Sequence, residues 1–227
     1  MNIANNILKS SLQNVYFLTG TPLAGKTTMC KKIAEKHGFV WFDENYNGEP
    51  FKKWKSICEE KYQPLTIERN EKFRKKGHYD WDAHFNRSAE DIASENSKRN
   101  QNDEFIEFVM IELIKLSLNN KVITDVCLPI NTLVEISDYS RIACLLTMPE
   151  LVTTINYGSR DDHKSYLEWI MSLSDPEKKI TKNDEVFSIE VSKTFDEVRK
   201  YNLFSTIRTN DSSIENTLVL LEAHFNL

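Results

Sequence analysis

Residues 20–27 read Gly-Thr-Pro-Leu-Ala-Gly-Lys-Thr, which matches the pattern G-x-x-x-x-G-K-[ST] at every fixed position. The two glycines let the backbone turn so that successive N–H groups point inward, toward an anion. The lysine adds a positive charge, and the last threonine adds a hydroxyl that suits a divalent cation. The stretch therefore predicts a loop that binds the phosphates of a nucleoside triphosphate, hereafter the phosphate loop.

The residues on either side of the phosphate loop have the context that such a loop requires. Residues 14–19 form a short β-branched and aromatic run, which predicts a buried strand. Apolar residues at helical spacing follow in Lys26–His37, and Gly38 stands where a helix C-terminus favours glycine. The chain has only six glycines, and two of them occupy the required positions. A chance match is therefore disfavoured.

Strands and helices alternate along the rest of the chain. Residues 103–118 and 212–225 have the spacing of amphipathic helices. Four further apolar runs have the length of buried strands: residues 39–42, 121–125, 141–147 and 203–207. This alternation predicts an α/β fold with three layers, in which helices cover both faces of a five-stranded parallel sheet.

Two polar stretches, residues 45–104 and 148–203, are too long to be simple crossovers. The first is rich in aromatic residues and arginines, and it carries helical but no strand pattern. Ligands of open parallel sheets bind outside the carboxyl ends of the strands, so we expect both stretches to lie over that edge. We interpret residues 1–227 as one domain with a helical insertion at 45–104.

Two aspartates end predicted strands on the edge that carries the phosphate loop. Asp125 ends the third strand and is expected, with Thr27, to hold Mg²⁺ directly or through water. The alternative is a strand-end aspartate that caps the next turn. Asp43 ends the second strand and is a candidate to orient or deprotonate an acceptor hydroxyl. Glu44 is the fallback for that role, and a plain solvated turn is an equal alternative.

Arg160 follows Gly158 and precedes an apolar-periodic helix. A glycine-flanked arginine at such a place is a candidate to swing over a transferring phosphoryl group. A surface arginine near a helix start is the alternative, and it applies equally to Lys164.

His78, Asp80, Asp82 and His84 occupy every second position, so an extended strand would place all four possible metal ligands on one face. The surrounding sequence carries no pattern of such a strand. We therefore interpret the string as a solvated loop.

The composition argues against a nucleic-acid or membrane partner. The chain of 227 residues has a net charge of -5 and no basic tail or stripe. Residues 69–76 are locally basic, which we interpret as a solvated helix face. No stretch approaches the roughly 20 apolar residues of a membrane span. The sequence has no signal-peptide pattern either, so we expect a cytoplasmic protein.

The four cysteines, Cys30, Cys58, Cys127 and Cys144, show no metal-ligand or redox-motif spacing. Cys127 and Cys144 lie within or beside apolar runs, where cysteine acts as a small hydrophobic residue.

The phosphate loop, the chain length and the segment order resemble those of the small P-loop kinases of the adenylate, shikimate and gluconate kinase type. The resemblance implies ATP and Mg²⁺ as cofactors, and a helical insertion, here 45–104, that binds the phosphoryl acceptor. It also implies a mobile lid, here 158–184, and a loop that contacts adenine, here 208–212. Asp211 or Ser212 is expected to cap the helix after that loop.

The chain departs from these kinases at two places. The lid has Arg160 alone among lysines, and the sequence D-V-C-L-P follows the third strand where shikimate kinases have a glycine triplet. The resemblance therefore does not identify the acceptor.

The sequence predicts an ATP-dependent phosphotransferase for a small acceptor such as a nucleoside, nucleotide, sugar or antibiotic. A nucleotide-gated regulatory NTPase without such an acceptor is the alternative, and monomer and homodimer both stay open. A GTPase is disfavoured because Asn120-Lys121-Val122-Ile123 lacks the aspartate of N-K-x-D. The predicted site residues form three groups: catalytic Lys26, Asp43 and Arg160; metal-binding Thr27 and Asp125; nucleotide-binding Gly20, Thr21, Pro22, Leu23, Ala24, Gly25, Lys26, Thr27 and Thr28.

Overall fold

The apolar run ahead of the phosphate loop forms a buried strand at the centre of a five-stranded sheet. This arrangement is seen in a computed structural model that describes five segments of the chain: residues 5–43, 74–75, 78–100, 103–160 and 163–227. The described strands are β1 (Val15–Gly20), β2 (Val40–Phe42), β3 (Arg74–Lys75), β4 (His78–Tyr79), β5 (Val122–Thr124), β6 (Ile142–Thr147) and β7 (Ser205–Arg208).

The described helices range from five to 25 residues in length. They are α1 (Asn5–Ser11), α2 (Lys26–His37), α3 (Trp81–Phe85), α4 (Ala89–Asn100), α5 (Asp103–Ser117), α6 (Ile130–Ile136), α7 (Thr154–Gly158), α8 (Lys164–Met171), α9 (Pro176–Lys200) and α10 (Ile214–Phe225). Within the described part of the chain, no helix is both long enough and apolar enough to cross a membrane.

The main sheet has the strand order β2-β5-β1-β6-β7, and every neighbouring pair is parallel. The predicted five-stranded parallel sheet is thus confirmed, with strand ends that differ from the prediction by at most two residues. After β1 the chain continues to β2 at one edge of the sheet, and after β6 it continues to β7 at the other edge. The point where the direction reverses lies between β1 and β6, and ligands of such sheets bind beside the carboxyl ends at that point.

Helices cover the sheet on both faces. On one face, Tyr16, Leu18 and Ile123 pack with residues of α2 and α10 in a single buried cluster. Val15 and Phe17 alternate with these residues and so point to the other face, where they are also fully buried. Helix α5 contacts β5, and α1 contacts α6. The predicted three-layer α/β/α architecture is confirmed.

Helix α2 begins at Lys26 and ends at His37, followed by Gly38, as predicted. Its C-terminal end is fastened to α10 through Glu222. One carboxylate oxygen of Glu222 lies 2.7 Å from Lys36 Nζ and 2.7 Å from His37 Nε2. The hydrogen bonds from Lys36 and then His37 lower the pKa of Glu222 below its usual value of 4.5.

The lowered pKa of Glu222 predicts how stability depends on pH. A carboxyl group whose pKa is lower in the folded protein contributes stability above its unfolded pKa, and the contribution is lost as the pH falls through the folded pKa. Glu222→Gln should therefore reduce the free energy of unfolding at pH 7 and should flatten its fall below about pH 4. Urea unfolding at several pH values measures this. Glu35→Gln, on the exposed face of α2, is the control, and an equal change in both variants would contradict the prediction.

The described residues divide into two compact units. The first falls within Met1–Ile57, Asn100–Thr147 and Thr194–Leu227, and it contains the main sheet. The second falls within Cys58–Arg99 and Met148–Lys193, so it is built from parts of the two long polar stretches, 45–104 and 148–203.

The second unit has a small core of its own and a buried polar group. Ala89, Ile92 and Ala93 of α4 pack with Val186 of α9. The buried Thr154 donates from its backbone N–H and from its hydroxyl to Asp184 Oδ1, each at 2.6 Å. These contacts tie α7 and α9 together within the unit.

The interpretation of residues 45–104 as free of strands was wrong for the segment that ends at Tyr79. Strands β3 and β4 form an antiparallel pair in which Arg74 is opposite Tyr79 and Lys75 is opposite His78. The basic run at residues 69–76 was interpreted as a helix face, and this was wrong for residues 74 and 75, which lie in a strand. Strands of two residues are too short to show an alternating pattern, so sequence periodicity does not reveal them.

The alternating histidine and aspartate string is neither a strand face nor a solvated loop. His78 belongs to β4, and Asp80 caps α3 by accepting a hydrogen bond from the Ala83 N–H at 3.0 Å. Asp82 and His84 lie in α3, and His84 is buried. The solvated-loop interpretation was therefore wrong, because a cap and a short helix interrupt the string.

Candidate active site

The phosphate loop turns sharply because three of its residues have positive φ angles. They are Gly20 (φ 125°), Leu23 (φ 61°) and Gly25 (φ 84°). Leucine rarely adopts the left-handed region, and a non-glycine residue held there carries strain of about 1–3 kcal/mol. Such strain persists only where surrounding contacts fix the backbone, and it is typical of functional loops.

Strand β6 provides most of these fixing contacts. The Thr21 N–H donates to the Leu145 carbonyl at 3.1 Å, and the Thr147 N–H donates to Thr21 Oγ1 at 2.7 Å. The Thr147 hydroxyl donates to the Pro22 carbonyl at 3.0 Å. Both threonines are buried. The loop is thus tethered to the strand beside β1, at the reversal point of the sheet.

Arg208 holds the phosphate loop from the other side. Its guanidinium donates a hydrogen bond to the Leu23 carbonyl. Arg208 ends β7, so only residues 209–212 form the loop predicted to contact adenine. The helix cap that follows is Ser213, whose hydroxyl accepts from the Asn216 N–H at 3.0 Å. The prediction of Asp211 or Ser212 as that cap was therefore wrong, while the adenine contact stays a prediction.

Lys26 lies over the phosphate loop. Its ammonium nitrogen donates to the Thr21 carbonyl at 2.6 Å and to the Gly20 carbonyl at 3.4 Å. Gly25 precedes α2, and no side chain among the described residues caps that helix end. The N–H groups of the first turn of α2 are therefore not engaged by a side-chain cap, which is the arrangement that binds phosphate groups.

Thr27 and Asp125 meet at the start of α2. The Thr27 hydroxyl donates to Asp125 Oδ2 at 2.5 Å, and the indole N–H of Trp41 donates to Asp125 Oδ1 at 3.2 Å. The predicted proximity of the end of β5 to the phosphate loop is present in the structure. Trp41 is a residue that the sequence reasoning missed, although its place two residues before Asp43 puts it on the same strand face.

The charged groups of this site act together on one buried thiol. The pKa of Cys30 lies well above its usual range, first because of burial and next because of the negative charge of Asp125. The charge of Lys26 opposes that rise, and the charge of Asp43 adds to it. Asp43 therefore exerts its field on the same thiol as Asp125 and Lys26. A thiol with a raised pKa stays protonated and is a poor nucleophile.

The other described cysteines differ in burial. Burial raises the pKa of Cys144 to about 12, as expected for a small residue of the core. Cys127 is exposed, although it lies beside an apolar run. It lies in the turn after β5, where the apolar neighbours Val126 and Leu128 are buried and Cys127 faces the other way.

The donors at Thr27 and Asp125 fit Mg²⁺. This ion prefers hard oxygen ligands, keeps several waters, and is usually bound by one or two carboxylates together with substrate phosphates. A hydroxyl and a carboxylate 2.5 Å apart beside a phosphate-binding loop supply such ligands. Within the described ranges no group of three or more His, Cys, Asp or Glu side chains gathers as a protein-only metal cage.

The structure places Arg160 between α7 and α8 of the second unit. Its carbonyl accepts a hydrogen bond from the His163 N–H at 2.9 Å. Gly158 ends α7, and a Cβ there would be 2.4 Å from Leu167 Cβ, so the glycine permits close packing of α7 and α8. Lys164 is an exposed residue 4.0 Å from Glu168. The catalytic role of Arg160 stays a prediction.

Much of the stretch predicted to bind the acceptor, including Glu44 and residues 45–73, lies outside the described residues. Two of its members that are described have contacts within the second unit. The Trp81 ring centroid is 4.3 Å from that of Trp169, and Arg87 forms an ion pair of 2.5 Å with Glu95.

Comparison with known proteins finds similarity to solved structures. No protein-family model and no curated protein matches the chain. Among solved structures, the chain is similar to one described as shikimate kinase from Acinetobacter baumannii in complex with shikimate. The sequence identity is 16%, the TM-score is 0.45, and the match covers 93% of each chain. Independently of this match, the five-stranded parallel sheet and its flanking helices give the chain the predicted three-layer α/β fold.

Proposed function

We propose that the protein is an ATP- and Mg²⁺-dependent phosphotransferase that acts on a small-molecule acceptor. The observation that carries the proposal is the contact of the Thr27 hydroxyl with Asp125 at 2.5 Å, beside the phosphate loop that carries Lys26. A phosphate loop alone implies only that a triphosphate is bound. A hydroxyl and a strand-end carboxylate at its rim add the ligands that metal-assisted phosphoryl transfer requires.

The residues of the first unit divide the proposed chemistry among them. The N–H groups of the phosphate loop and of the first turn of α2 bind the phosphates. The ammonium group of Lys26 stabilises negative charge on the phosphoryl group as it leaves the nucleotide and reaches the acceptor. When bound, Mg²⁺ supplies further positive charge to the same oxygens, with Thr27 and Asp125 as its protein ligands.

Asp43 is the proposed partner of the acceptor hydroxyl. It follows β2 at the edge where Asp125 follows β5, and its charge acts on the same Cys30 thiol. A carboxylate there is suited to orient a hydroxyl group and to accept its proton. Arg160 is proposed to add positive charge during transfer, as a residue of the lid that the family resemblance implies.

An assay of ADP release tests the proposal. The protein is supplied with ATP and Mg²⁺, and nucleosides, nucleotides, sugars and antibiotics are added in turn. We expect at least one acceptor class to raise ADP release above the basal rate, with one phosphorylated product formed for each ADP. Basal hydrolysis that no acceptor raises, but that a protein partner alters, would instead favour a regulatory NTPase.

Asp125→Asn tests the metal assignment. The amide keeps the shape of the side chain but loses the charge, so the Mg²⁺ concentration for half-maximal turnover should rise roughly 10- to 100-fold. A magnesium titration at saturating ATP measures the change. Asp138→Asn is the control, because Asp138 forms a separate ion pair of 2.9 Å with Arg141. An unchanged magnesium requirement in the Asp125 variant would contradict the assignment.

A further inference from the structure

Trp41 engages the carboxylate that faces the phosphate loop. Each oxygen of Asp125 has a donor of its own: the Thr27 hydroxyl at Oδ2, 2.5 Å away, and the Trp41 indole N–H at Oδ1, 3.2 Å away. The χ2 torsion of an aspartate is broad and is not fixed by rotamer preference alone. Two donors on opposite oxygens therefore set the plane of this carboxylate.

The sheet register brings Trp41 to this place. Trp41 of β2 is paired with Ile123 of β5, and Asp125 follows Ile123 by two residues. Side chains two residues apart along an extended strand share a face of the sheet. Trp41 and Asp125 therefore both point toward α2, and the long indole spans the distance between neighbouring strands.

The indole ring is itself held in position. It packs against the buried cluster between the sheet and helices α2 and α10. The ammonium nitrogen of Lys31 also lies 4.9 Å from the ring centroid, within the range of a cation–π contact. A ring fixed in this way presents its N–H in one direction, which makes it a stable donor.

We propose that Trp41 is a positioning residue that orients Asp125 for Mg²⁺ through its indole N–H. The inference rests on the proposed function, because that proposal assigns Asp125 to the metal. Residues that orient metal-binding carboxylates by hydrogen bonds affect metal affinity by roughly 10- to 100-fold. Trp41 acts through Asp125 and contacts neither the metal nor the reacting groups.

Trp41→Phe removes the N–H while it keeps an aromatic ring in the strand. Binding of a fluorescent ATP analogue is measured in EDTA and across a magnesium titration. We expect the half-saturating Mg²⁺ concentration to rise about tenfold in Trp41→Phe and at least as much in Asp125→Asn. In EDTA, both variants should bind the ATP analogue with the affinity of the unsubstituted protein. Tyr16→Phe is the matched control, since it removes a polar hydrogen from a ring on the same sheet face that packs on Phe39 and Phe225.

A magnesium requirement of Trp41→Phe within twofold of the unsubstituted protein would overturn the inference while leaving the proposed function intact. An unchanged requirement in Asp125→Asn would overturn both the inference and the metal assignment. Absence of nucleotide binding by the unsubstituted protein would overturn the proposed function itself, and with it the metal role of Trp41.

A second measurement examines the contact without any nucleotide. The thermal midpoints of Trp41→Phe, Asp125→Ala and the double variant are compared in the free protein, since an asparagine oxygen could still accept the indole N–H. If the indole N–H binds Asp125, the shift of the double variant should differ from the sum of the two single shifts. Additive shifts would overturn the inference, because they would show that the two side chains do not interact.

Discussion

Replacing Lys26 by alanine is expected to lower ATP turnover by roughly 100- to 1000-fold, which is the usual effect of removing one preorganised donor from a charged transition state. The ammonium group lies over the phosphate loop, 2.6 Å from the Thr21 carbonyl. The proposed transfer develops negative charge at the position that this group faces. Alanine cannot replace the positive charge, so a higher substrate concentration should not restore the lost turnover.

The same substitution should leave the fold in place. Lys26 begins α2, where alanine is an excellent helix former. The hydrogen bonds that it makes to carbonyls of the phosphate loop contribute about 1–3 kcal/mol each at most. The tethers from Thr147 to Thr21 and Pro22 do not involve Lys26. We therefore expect a cooperative thermal transition at a moderately lower midpoint.

Turnover and the thermal midpoint are measured together for Lys26→Ala. Lys32→Ala is the control, because it removes an equal charge from the same helix six residues further along. Its turnover should be close to that of the unsubstituted protein. Unchanged turnover in Lys26→Ala would show that residues 20–27 do not bind the reacting phosphates, and the proposed function would fail with it.

The features that the sequence predicts well are those with local causes. The phosphate loop depends on residue types at fixed spacing, and the pattern reappears in the structure as the positive φ angles of Gly20 and Gly25. Helix α2 was predicted to the residue because its apolar spacing, its start after the motif and Gly38 all agree. The parallel sheet followed from the alternation of strands and helices.

The features that were missed depend on contacts between distant residues. Trp41 and Asp125 are 84 positions apart, and Thr21 and Thr147 are 126 apart. Both contacts require the strand order, which places β2 beside β5 and β6 beside β1. Composition does not encode that order.

Two local errors have local causes. The cap of α10 was misplaced because Asp211, Ser212 and Ser213 are all residues that favour the cap position. Cys127 was interpreted as a small hydrophobic residue because its neighbours are apolar, yet it is exposed, since adjacent side chains in an irregular turn face different ways. Residue type alone cannot decide either case.

Gly20→Ala is expected to be the most destabilising single substitution considered for this protein. A Cβ at this position would lie 1.9 Å from the Leu145 carbonyl oxygen and 2.7 Å from the carbonyl carbon. These atoms belong to the backbone of β6, which is buried and paired with β7 on its other side. The β6 backbone at Leu145 therefore cannot move away without loss of the sheet contacts that hold the phosphate loop.

Two effects contribute to the loss in Gly20→Ala. The φ angle of 125° is strained for alanine, at about 1–3 kcal/mol. The overlap with β6 adds a further packing loss of about 1–3 kcal/mol, since the strands must separate. The sum, on the order of 2–6 kcal/mol, is a large part of the 5–15 kcal/mol that holds a typical domain folded.

Gly25→Ala separates these two effects, because it introduces backbone strain at a positive φ angle but no overlap with another strand. The φ angle of Gly25 is 84°, and no described atom lies within 4 Å of the position of its added Cβ. Its loss of stability should therefore be about 1 kcal/mol, well below that of Gly20→Ala. Denaturant unfolding measures both. Equal losses of unfolding free energy in the two variants would contradict the close approach of β1 and β6. The expected difference means that Gly20 is required for packing of the sheet, whereas Gly25 is required for the turn at the start of α2.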